Sequence, residues 1–203
     1  MASTDGPDPY LDPLTGVFRN KVGARTPEAL TAAEGDLSFA RMLELLDDPP
    51  PHTTDLAELR AIHRHLFQDV YDWAGELRTV DLRKSADPFL PVPMIERAAH
   101  HAFEELRAER YLRDLPRHRF IERLAHHYDQ LNYIHPFREG NGRAQRYFWT
   151  RVAREAGWEL DWRSVEGPVN DEACRIAAEK QDLGPLREMF DRVVVGPVTP
   201  SAG

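Results

Sequence analysis

Residues 131–150 read LNYIHPFREGNGRAQRYFWT, and the order of these side chains decides how the whole chain is read. A Gly-rich turn, Gly140-Asn141-Gly142, precedes residues that read as a helix. A helix start presents unpaired backbone N–H groups and the positive end of the helix dipole, which together form an anion site. Glycine takes φ > 0 freely and lets a ligand approach the backbone, and Asn tolerates the same conformation. Arg143 and Arg146 are three apart, so their side chains leave neighbouring faces of the first helical turns. Two guanidiniums there can hold a polyphosphate by bidentate hydrogen bonds.

The residues ahead of the turn carry other chemistry. His135 has an unperturbed pKa near neutrality, so it can take a proton from a hydroxyl at pH 7. Pro136 fixes the backbone after it. Phe137 is an apolar plug that can anchor the loop to the core. Glu139 is a hard oxygen ligand beside the turn, where Mg²⁺ would bridge carboxylate and phosphate.

The stretch resembles the signature of the Fic family, H-x-F-x-(D/E)-G-N-G-R-x-x-R, at every defined position. Leu66 to Arg78, LFQDVYDWAGELR, is similar to the segment ahead of the family's flap. Tyr10 to Val22, YLDPLTGVFRNKV, is similar to the N-terminal segment of bacterial Fic proteins inhibited by a separate antitoxin. The resemblance implies a protein adenylyltransferase that moves AMP from ATP to a Tyr, Ser or Thr hydroxyl of another protein and releases pyrophosphate. Carried over residue by residue, it makes His135 the base and Glu139 the Mg²⁺ ligand. Gly140, Asn141 and Gly142 become the phosphate turn, with Asn141 and the turn's N–H groups stabilising charge at the α-phosphate. Arg143 and Arg146 hold the β- and γ-phosphates. A related toxin branch carries Lys where this chain has Gly142 and transfers a phosphate; Gly142 keeps room for the β-phosphate and suits AMP transfer. Two other readings stay open: transfer of a phosphoryl group or of UMP, and a non-catalytic docking module on the Fic fold.

Composition sets outer bounds. The chain has 203 residues, enough for one sizeable core, so one domain is expected ahead of two. Its 41% hydrophobic content is that of a globular protein, and its net charge of −8 argues against non-specific nucleic-acid binding. A single cysteine, Cys174, excludes an internal disulfide and fits a reducing compartment. No apolar run reaches membrane-spanning length. A cytoplasmic protein is expected, or one secreted into a host cell as an effector, with neither nucleic acid nor membrane as partner.

Taken in order, residues 1–9 read as a disordered lead, 10–194 as the Fic domain, and 195–203 as a flexible tail. Thr26-Pro27-Glu28 is a helix start, with Leu30, Ala33, Leu37, Ala40 and Leu43 as its apolar face. Thr54-Asp55 opens a second helix whose stripe is Leu59, Ile62, Leu66 and Val70, ending near Gly75. His63 and His65 read as structural or exposed. Residues 77–93 alternate and carry turn signals, which reads as a small hairpin. The resemblance makes it the flap that docks the target's backbone by strand addition and covers the nucleotide, with Lys84 and Ser85 near its tip as nucleotide contacts.

Further helices are expected from Pro93, from Pro116, over the signature (135–156 with its loop), over about 168–180 and over about 185–194, with a connector at 158–165. The paired histidines at 100–101 and 126–127 lack H-E-x-x-H spacing, so zinc is not expected. The architecture is therefore an all-α, Fic-type helical domain with one small β-hairpin flap. Fic proteins are commonly held off by a helix bearing (S/T)-x-x-x-E-(G/N). Glu34-Gly35 comes nearest, but Leu30 stands where Ser or Thr is required. The resemblance thus implies a small antitoxin-like inhibitor acting in trans on Arg146.

Overall fold

The computed structural model describes residues 8–84 and 87–198. The chain forms two compact units, one of residues up to Ile95 with His135–Ala144, the other of Glu96–Ile134 with Gln145 onward. Seven α-helices account for most of the described residues, with two short two-stranded sheets. Among the described residues no helix is long and apolar enough to cross a membrane.

In the first unit α1 spans Pro27–Asp47, capped by Thr26, whose side chain accepts from the Ala29 N–H. Its buried face is not the expected one. Leu30, Glu34, Ser38 and Leu45 point inward, while Phe39, Leu43 and Leu46 are exposed. Glu34 and Ser38 are tolerated inside because each has a hydrogen-bond partner.

Helix α2, Leu56–Phe67, is capped by Asp55 and packs on α1. It buries Leu59, Ile62, His63, Leu66 and Phe67 and stops well short of the expected Gly75. Turns occupy the remainder, and Gly75 takes φ 81°. The N-terminal arm is anchored by Tyr10 and Phe18, which pack with Trp73, Val80, Leu82 and Phe89. Asp8, inside the expected lead, accepts from the Arg138 guanidinium at 2.8 Å.

The hairpin is present. Strand β1, Arg83–Lys84, pairs antiparallel with β2, Asp87–Pro88. Val80 and Leu82 sink into the cluster with Tyr10, which supplies the packing that an isolated hairpin lacks.

In the second unit α3 (Ile95–Ala108) and α4 (Arg117–Ile134) are followed by most of α5 (Asn141–Glu155). Helices α6 (Gly167–Lys180) and α7 (Gly184–Val193) pack on each other and on α4. The core here is aromatic: Phe103, Phe120, Tyr128, Phe148, Trp149 and Phe190 are buried. Cys174 is a buried thiol. A second small sheet goes beyond the sequence expectation: β3, Trp158–Leu160, pairs antiparallel with β4, Val194–Pro197. Residues that read as connector and tail therefore hold each other.

Candidate active site

Helix α4 ends at Ile134, and His135 follows with φ 45°, a left-handed conformation that costs a non-glycine residue energy. Three contacts hold it there. Its ring stacks on Phe89, with centroids 3.9 Å apart and planes at 17°. Its carbonyl accepts from Arg78 Nε at 2.8 Å, and the next carbonyl, Pro136, accepts from the Arg78 backbone N–H at 2.8 Å. The Arg78 side chain is fully buried, and its guanidinium also donates to the carbonyls of Val80 (2.8 Å) and Leu90. One arginine thus joins the base of the hairpin to the His135 loop. Burial pulls its pKa below the ordinary arginine value.

Phe137 is fully buried. Its ring stacks on His63, with centroids 3.9 Å apart. The Asn141 side chain closes the loop: Oδ1 accepts from the Phe137 N–H at 2.9 Å and Nδ2 donates to the Phe137 carbonyl at 2.8 Å. Both ends of its amide thus bond the Phe137 backbone, which shapes the turn.

Gly140 takes φ 78°, and a Cβ there would press into the Phe67 ring. Gly142 is exposed with open space around it. Helix α5 begins at Asn141, so the N–H groups of its first turn lie in the Gly140-Asn141-Gly142 turn.

Glu139 has a 44% exposed side chain, and its Oε1 accepts from the Gly140 N–H at 2.9 Å. An accessible carboxylate beside a helix-start turn fits Mg²⁺, which binds through one or two carboxylates plus phosphate oxygens. Arg143 Nη2 lies 4.0 Å from the same oxygen and pairs more closely with Glu34. Arg146 belongs to the second unit, where its guanidinium lies 5.5 Å from the Trp162 ring centroid. Lys84 lies in β1, and Ser85 falls outside the described residues.

Sequence reasoning misses several residues. His63, allowed as structural or exposed, is wholly buried under the turn. Glu34, Ser38 and Tyr71 meet Arg143 or its partner. Phe89 and Arg78 hold His135; only the motif-like W-A-G-E-L-R run ahead of the hairpin hints at the latter.

The second unit brings Glu105, His126 and His127 together, with ligand atoms within 4.8 Å of one another. Arg123 donates to Glu105 at 3.1 Å and also pairs with Glu109, so a guanidinium already supplies the positive charge there.

Comparison with known proteins agrees with this geometry. The Fic/DOC family model matches residues 53–153. An Escherichia coli K12 protein named "Probable protein adenylyltransferase Fic" is 37% identical over 94% of both chains. Protein adenylyltransferase VbhT of Bartonella schoenbuchensis is 40% identical over 78% of this chain and 33% of its own length. The crystal structure of the BepC effector of Bartonella tribocorum with bound AMPPNP superposes with a TM-score of 0.88 at 27% identity, covering 94% of this chain and 97% of that one. The chain belongs to the Fic/DOC family.

Proposed function

We propose that the protein is an adenylyltransferase that moves AMP from ATP to a hydroxyl of a protein target. The observation that carries this reading is the junction of His135, held in a left-handed conformation, with the Gly140 turn that opens α5. A histidine and a helix-start turn follow one another in a loop held by Arg78, Asn141 and Phe137, which suits a base beside an anion site. The names of the relatives and the nucleotide bound in the BepC structure support ATP as the donor.

In this mechanism the triphosphate lies on the turn, within reach of the helix-start N–H groups. The target hydroxyl oxygen attacks the α-phosphorus in line, the bond from that phosphorus to the bridging oxygen breaks, and pyrophosphate leaves. His135 takes the proton from the attacking hydroxyl. Glu139 would hold Mg²⁺, which neutralises phosphate charge when bound. Arg143 and Arg146 orient the β- and γ-phosphates. The rate gain comes mainly from orientation and from donors set in place before charge develops.

The target's backbone adds as a strand beside β1–β2, the docking role that the resemblance gives to the flap. Restraint comes from a small partner that inserts a carboxylate beside Arg146; within the chain, the Glu34 carboxylate is already taken by Arg143 and Tyr71. A cytoplasmic location follows the same reading. Incubation with ATP labelled separately at the α- and γ-phosphates tests it. Label from the α position should enter protein and label from the γ position should leave as pyrophosphate. Transfer of γ-label would replace AMP transfer by phosphorylation, and transfer of neither label would favour a docking module.

A further inference from the structure

The buried face of α1 carries Glu34 and Ser38 where helical periodicity would place apolar residues. A carboxylate inside a protein is costly unless its oxygens are satisfied. Here one Glu34 oxygen accepts from the Tyr71 hydroxyl and the other from the Arg143 guanidinium. Ser38 Oγ accepts from Arg143 Nη1 at 2.9 Å. The guanidinium also lies over the Phe67 ring, 4.6 Å from its centroid. Burial, with the Glu34 bond, holds the Tyr71 phenol well above its ordinary range, so it stays a proton donor to Glu34.

We propose that Glu34, backed by Tyr71 and assisted by Ser38, is a positioning residue that sets the Arg143 guanidinium toward the nucleotide phosphates. The proposal rests on the nucleotide role assigned to Arg143 above. Three features make the arrangement a seat and not a plug. The Glu34 side chain is 11% exposed and that of Arg143 34%, so the carboxylate stands on the buried side of the pair. Both Glu34 oxygens are committed to neighbours. An arginine has five N–H donors, and the bonds to Glu34 and Ser38 engage two. A guanidinium fixed beforehand loses little rotamer freedom when phosphate arrives.

The test compares Glu34→Ala, Glu34→Gln, Arg143→Ala and the Glu34→Ala/Arg143→Ala pair in the full chain. It reads ATP affinity, single-turnover transfer of α-label, and Tm for each variant. Glu34→Ala should lower transfer by about 10- to 100-fold, the scale of a misplaced orienting group. Glu34→Gln should recover most of the loss, because the amide oxygen still accepts from Arg143. Adding Glu34→Ala to Arg143→Ala should change transfer by no more than about twofold, since a seat without its occupant has no further effect. A Glu34→Ala protein that transfers faster than wild type would make Glu34 a brake and overturn the proposal. So would an equal loss in both backgrounds, which marks a fold residue that acts independently of Arg143. If Arg143→Ala is impaired and Glu34→Ala is not, the seat alone falls. If Arg143→Ala matches wild type, the nucleotide role of Arg143 falls and the seat with it.

Discussion

His63 Nε2 donates to the carbonyl oxygen of Glu139 at 2.9 Å, while its Nδ1 accepts from the Gly75 N–H at 2.8 Å. These partners fix a neutral imidazole with the hydrogen on Nε2, wedged beneath the turn at Gly140. Burial pushes its pKa down to about 4 from an ordinary 6.5, and the positive charges of Arg143 and Arg64 push the same way. The unfolded chain binds the proton more readily, so stability is fully present above pH 6.5 and is lost as pH falls toward 4. A pKa lowered this far makes the full loss about 3 kcal/mol. Burial lowers His127 as well, which acts in the same direction. His63→Asn should be less stable than wild type at pH 7, and its stability should fall less steeply between pH 6.5 and 4. Equal slopes in denaturant titrations across that range would show that His63 does not carry the effect.

The two glycines of the turn should respond differently. Gly140→Ala forces a Cβ into the Phe67 ring, within 3.2 Å of His63 Nε2, at φ 78°. Strain of about 1–3 kcal/mol adds to an overpacking cost of similar size. Gly142 has open space and no positive φ. Gly142→Ala should keep the wild-type Tm while ATP affinity and transfer fall, because the space proposed for the β-phosphate narrows. A Gly142→Ala protein with full activity would remove that role.

His135→Ala should abolish transfer and leave ATP affinity nearly intact, because the base acts on the attacking hydroxyl and not on the phosphates. General-base catalysis is worth about 10² to 10⁴ in rate. Retention of more than about a tenth of the wild-type rate would exclude His135 as the base. Calorimetry with ATP alongside single-turnover transfer separates the two effects.

The signature window is legible in the sequence because its chemistry is local: turn, helix start and base are consecutive. Helix starts at Thr26 and Asp55 are legible for the same reason, each being set by a cap and its next three residues. The buried face of α1 is not. Periodicity weights Leu43 above Glu34, and Glu34 is satisfied inside because Tyr71 and Arg143, far along the chain, meet it there. Strand β4 escapes because a Val-Val-Gly-Pro run with little beyond it reads as a tail until β3 supplies the partner. The hairpin is legible as a hairpin, but Leu82 proves to be 6% exposed and packed near Tyr10. Proline at Leu82 would therefore test the core as much as strand addition.

Arg78 offers the sharpest test of how the loop and the hairpin are joined. Its guanidinium reaches the carbonyls of His135, Val80 and Leu90, and its backbone N–H reaches Pro136. Arg78→Lys keeps the charge but not the planar fork, so a single ammonium cannot satisfy three carbonyls set around a guanidinium. Each unsatisfied buried acceptor costs about 1–3 kcal/mol. Arg78→Lys should therefore lower stability measurably. It should also release His135 from its left-handed conformation, lowering transfer more than ATP affinity, because the base loses its orientation while the turn at Gly140 keeps its own support from His63 and Asn141. Arg78→Met, which leaves the carbonyls with no donor, should be worse in stability than Arg78→Lys. Hydrogen exchange would then show increased opening at the hairpin base and at His135 together. If opening rises at the hairpin alone and transfer holds, Arg78 supports the flap without positioning His135.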